Sequence, residues 1–143
     1  QVRQAAEAIT HTEQDSAARA LARSVTAEMH SSFAALRTHM PMNLHARSPG
    51  EGRAPGVAED ISRVTSLWTE CRSRFGQGGP FLFGSFSIAD AFYAPVVTRF
   101  VTYGVVLDAV GAAYRDAVLS LPAMKAWTEA ARHEPPVARY EKK

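Results

Sequence analysis

Few side chains in this chain could do chemistry. There is one cysteine, Cys71; there are five histidines, His11, His30, His39, His45 and His133; and there is a Ser87-Ile88-Ala89-Asp90 tetrapeptide. A cysteine attacks only as its thiolate, which needs a cationic neighbour or a helix start to lower its pKa. Cys71 stands instead between Trp68 and Phe75 at helical spacing, so it reads as a buried structural thiol. The histidines show no i, i+4 pairing with a carboxylate partner, and no metal site is expected. Tyr93 and Tyr103 read as core aromatics with a bonded hydroxyl rather than as general acids. The Ser87 to Asp90 spacing does carry a defined chemistry, and it is structural. A serine at a helix N-cap accepts from the third amide while an aspartate at that third position accepts from the serine amide, so two orphan donors are satisfied.

Bulk properties narrow the function classes. With 143 residues, 46% hydrophobic and 21% charged, the chain has enough apolar side chain for one globular domain with its own core. The net charge is +2 and the arginines are scattered along the chain, Arg19, Arg37, Arg63 and Arg99 among them. No face is built to neutralise phosphates, and no nucleic-acid partner is expected. No stretch approaches the roughly 20 apolar residues of a membrane span, and QVRQAAEAIT lacks a signal core, so no membrane partner is expected either. A single cysteine fits a reducing compartment, and the cytoplasm is the expected location. The start at Gln1, within helix-forming residues, suggests a piece of something longer.

Periodicity then places these residues on elements. From Asp15 or Ser16 to about Met40, the residues Leu21, Val25, Met29, Phe33, Leu36 and Met40 fall within an arc of about 120° on a helical wheel. One long helix ended by Pro41 is expected, followed by a breaker-rich loop, MNLHARSPGEGRAPG. Val57, Ile61, Val64, Trp68, Cys71 and Phe75 lie within about 80° and predict a second helix, with Gly76 as a left-handed cap. The two are expected to pack antiparallel. A turn-rich connector carries Phe81, Leu82, Phe83 and Phe86. Phe86 precedes the cap and could staple onto Ala91, although alanine offers little surface. The capped helix runs from Ile88 to about Thr102, bent by Pro95 and closed by Gly104. Two shorter helices follow, from Asp108 to Leu119 and from Pro122 to about Arg132, with Met124 and Trp127 facing inward. No sheet is expected, so the fold class is all-α, a bundle of five to six helices.

The stretch GPFLFGSFSIADAFYAPVVTRFVTYG, the later LPAMKAWTEAARHEP and the upstream ARALARSVTAEMHSSFAALRTHMPMN together resemble the C-terminal helical domain of cytosolic glutathione transferases, the bacterial branch above all. The resemblance covers residues 15–134. Residues 1–14 are then a leader or linker remnant, and 135–143 a flexible tail. It implies a right-handed bundle in which Ser87 and Asp90 cap the buried central helix as fold determinants.

It also implies a division of labour. In that family glutathione, the co-substrate, is held and its thiol activated by a thioredoxin-like N-terminal domain, which nothing in this sequence resembles. The chain alone is therefore not expected to catalyse anything. The resemblance makes His30, Phe33, Arg37, Met40, Met42 and Asn43 the wall of a pocket for small hydrophobic electrophiles, where methionine thioethers adapt to varied shapes. Phe33 and Met40 belong equally to the core stripe, which is the plainer reading. His30 and Arg37 lie off it. A homodimer is implied as the assembly. The alternative from another class is a noncatalytic protein-interaction module of the same fold, and a third is a generic helical ligand carrier.

Overall fold

A computed structural model describes residues 2–135 and 137, with side chains from Asp15 onward. The residues are helical in six runs: α1 Val2–Ser31, α2 Ala34–His39, α3 Val57–Phe75, α4 Ile88–Thr102, α5 Ala109–Leu119 and α6 Pro122–Ala131. Among the described residues there is no strand. Two isolated bridges, Phe81 to Gly84 and Phe83 to Ser85, fold the connector before α4 onto itself. The flexible tail expected at 135–143 lies almost wholly outside the described residues.

The first helix differs from expectation in two ways. Its backbone is helical from Val2, upstream of Asp15, and it stops at Ser31 instead of running to Met40. The break is Phe33, whose φ of 61° is left-handed, a costly conformation for a residue with a bulky side chain. Two contacts hold it. Phe33 is buried, and the Asp60 carboxylate of α3 accepts from the Leu36 amide at 2.9 Å, capping α2 from outside. The apolar stripe survives the break: Val25, Met29, Phe33, Leu36 and Met40 are all buried. Cross-links run in opposite order along α1–α2 and α3, Glu28 to Arg63 and Leu36 to Asp60, so these segments are antiparallel as expected. Against α4 they run in the same order, Val25 to Tyr93, then Met40 to Arg99, then Pro41 to Tyr103.

Trp68 is the centre of the core. It is fully buried, with ring centroids 6.2 Å from Tyr93, 5.4 Å from Phe100 and 4.8 Å from Tyr114, so α3, α4 and α5 meet on one indole. Helix α4 continues through Pro95, which leaves the Ala91 carbonyl without an intrahelical donor. Ala91 is exposed, where water can serve that carbonyl. Gly104 closes α4 with φ 62°. Gly76 does not form a left-handed cap, since its φ is −94°. It is glycine because a Cβ there would meet the Arg72 carbonyl oxygen at 2.6 Å. At α6, Met124 is buried, but Trp127 is 37% exposed and faces inward only in part.

Candidate functional site

The start of α4 is organised by one carboxylate. Asp90 is fully buried. Its Oδ2 accepts from the Ser87 amide at 2.8 Å and the Ser87 hydroxyl at 3.2 Å, the aspartate arm of the capping box. Its Oδ1 accepts from the Leu82 amide at 3.1 Å and the Tyr114 hydroxyl at 2.9 Å. Charge-assisted bonds of this kind are roughly twice as strong as neutral ones. One residue thereby fixes the helix start, the connector and α5. The connector is held from its other side by Arg72, whose Nη1 donates to the carbonyls of Gly76, Gly79 and Phe81. Phe86 does not staple onto Ala91. It stacks edge-on against Phe81, 5.5 Å between centroids, and remains 51% exposed beside Ile88, which is 64% exposed.

This anchored corner forms one side of an open groove. The cavity, about 510 Å³, is lined by Arg19, Ala22, Arg23, Thr26, Ala27 and His30 of α1 and by Ile88 and Phe92 of α4. The volume lies in the range of small-molecule sites. The Thr26 hydroxyl is buried there without a hydrogen-bond partner.

Of the six residues expected to line a pocket, the fold brings only His30 to this groove. Phe33 and Met40 are core residues. Arg37 is exposed on α2, and Met42 and Asn43 are half-buried in the following loop. That loop is sewn to the far end of α4: the Arg99 guanidinium donates to the Met40 carbonyl, the Thr102 hydroxyl to the Asn43 carbonyl and the Tyr103 hydroxyl to the Pro41 carbonyl. The groove touches α4 at Ile88 and Phe92, so about 20 Å of helix separates Ile88 from Thr102. A signal for the groove does exist in the sequence. Positions 19, 22, 23, 26, 27 and 30 follow the i, i+3, i+4 spacing of one helix face, but its small and charged residues give no hydrophobic contrast.

The buried thiol and phenols of the core are held protonated. Burial, reinforced by the carboxylates of Glu70 and Asp90, pushes the Cys71 thiol up to about 12. Burial also raises Tyr93, helped by Glu28, and raises Tyr114, helped by the charge of Asp90 and the hydrogen bond to it. Arg99 is lowered, first by burial and then by the neighbouring Arg37 cation. None of these is poised to trade a proton near neutral pH. Among the described residues no group of three His, Cys, Asp or Glu side chains could hold a metal ion, and no helix is long and apolar enough to cross a membrane.

The family model described as glutathione S-transferase, C-terminal domain, matches residues 7–130. No curated protein and no solved structure matches the chain. The match spans all six helices nearly end to end, and with the buried capping box at the head of α4 it agrees with the fold: this chain belongs to the glutathione S-transferase C-terminal domain family.

Proposed function

We propose that the chain is the electrophile-binding and dimer-forming half of a glutathione transferase, working with a thioredoxin-like half that holds glutathione and activates its thiol. The observation that carries this reading is the open groove of α1 and α4, apolar in its floor and bordered by His30. A small hydrophobic electrophile gains by leaving water there, at about 25 cal/mol per Å² of apolar surface buried. The chain's own thiol and buried phenols are shifted away from reactivity, which suits a half that supplies a binding wall and no proton chemistry. The location of such an enzyme would be the cytoplasm, and its assembly a homodimer, which sedimentation would test.

The reading is tested with the purified chain. 1-Anilino-8-naphthalenesulfonate should bind with enhanced fluorescence, and Phe92→Ala should weaken it several-fold, while calorimetry with glutathione should give no heat. Micromolar glutathione affinity would overturn the division of labour. Dye binding indifferent to Phe92→Ala would remove the groove from it.

A further inference from the structure

Two charges, one on α3 and one on α4, have no direct counter-ion. Asp90 is fully buried and takes its four hydrogen bonds from two amides and two hydroxyls. Arg72 is half-buried, and among the described residues its guanidinium donates to carbonyls and to no carboxylate. One peptide group stands between them. The Phe81 carbonyl accepts from Arg72 Nη1 at 2.5 Å, and the Leu82 amide, the other end of the same peptide bond, donates to Asp90 Oδ1 at 3.1 Å. A planar peptide keeps those two ends in fixed relation, and its bond lengths put Nη1 within about 8 Å of Oδ1. Its dipole lies in the favourable sense for both charges, with the negative oxygen toward the guanidinium and the positive hydrogen toward the carboxylate. Each bond polarises the group for the other.

The loop around that peptide is closed on itself. Phe81 and Gly84 exchange amide-to-carbonyl bonds at 3.0 and 3.1 Å, Gly84 has φ 86°, and a Cβ on Gly79 would collide with the Gly84 carbonyl. A loop so tightly folded has few ways to yield in part. The turn before it is held by the same Arg72 nitrogen through Gly76 and Gly79. The capping box that begins α4 follows directly, and α4 supplies Ile88 and Phe92 to the groove. We infer that the connector 76–86 is a latch: Arg72 and Asp90 grip the peptide between Phe81 and Leu82 from opposite ends, either charge alone is too little to keep it shut, and its opening loosens the head of α4 as well. This coupling belongs to the free chain and stands whether or not the groove takes an electrophile.

Native-state amide exchange on the whole chain tests it. Arg72→Met removes the cation and keeps the stem. It should speed exchange at Leu82 and Gly84 at least about tenfold, although Arg72 bonds to neither amide, and several-fold at Phe92, while α6 stays within about twofold. Asp90→Asn should speed the same amides. The double variant should exchange no faster than the faster single one, because a latch released from one end has nothing left to lose at the other. Arg72→Lys, whose ammonium can face the same carbonyls, should lose less protection than Arg72→Met. Circular dichroism melts would verify that each variant folds, and the two Arg72 variants decide alone if Asp90→Asn does not. Losses that multiply in the double variant, exchange at Leu82 unmoved by Arg72→Met, or equal losses with lysine and methionine would each overturn the latch. Acceleration reaching α6 to the same degree would also overturn it, making Arg72 a general prop of the fold.

Discussion

Asp90 shows what one buried carboxylate can organise. It accepts from four donors in three parts of the chain. Its replacement by alanine strands the Leu82 amide and the Tyr114 hydroxyl in the interior as well as undoing the cap. Asp90→Ala should therefore cost about 3 to 5 kcal/mol, more than Tyr114→Phe at about 1.5 to 3 and Ser87→Ala at about 1, in that order of urea midpoints. A smaller loss for Asp90→Ala than for Ser87→Ala would mean the carboxylate is no hub. Cys71 offers a second check at this scale. With its thiol held protonated up to about 12, it should resist a disulfide reagent at pH 8 in the native chain and react at once in denaturant. The capping pair was legible in the sequence because it is local, four consecutive positions. The other two partners were not, since Leu82 offers only its backbone and Tyr114 arrives from a different helix.

The elements were mostly written in their apolar spacing. Helices α3, α4 and α5 begin and end within about a residue of where their stripes and caps place them. The break at Phe33 was invisible for a physical reason: the side-chain stripe continues across it, and the stabilising cap comes from Asp60, on another helix. Asp60→Ala should cost about 1 kcal/mol, typical of a lost N-cap, and should raise amide exchange through α2 rather than through α4. Equal exchange changes in both helices would show that Asp60 acts on general stability and not on the break. Arg72 escaped notice in the same way, because the acceptors it gathers are carbonyls, which the sequence of a loop does not display.

For the molecule as a whole, the buried thiol and phenols resist ionisation. Cys71, Tyr93 and Tyr114 all have raised pKa values in the folded state, with burial the first cause of each. Below pH 9 the Cys71 thiol is protonated whether the chain is folded or not. Between about pH 9 and 12 the unfolded chain releases the proton and the folded chain keeps it, so stability falls as pH rises. Urea midpoints should decline across that window, and Cys71→Ala should flatten the decline even if it lowers stability at neutral pH. An unchanged slope would exclude the thiol as a contributor. The candidate site was the least legible feature at this scale. The pocket wall inferred from resemblance spread over residues that the fold divides between the core, an exposed turn of α2 and the loop fastened to the end of α4, with only His30 reaching the groove.

The indole at the meeting point of three helices has an optical consequence. Trp68 is sealed from solvent, whereas Trp127 is 37% exposed, so the chain's two indole fluorophores sit in different media. Acrylamide should quench a red-shifted fraction and spare a blue-shifted one. Emission from the spared fraction will then report loosening around Tyr93, Phe100 and Tyr114 without any added label.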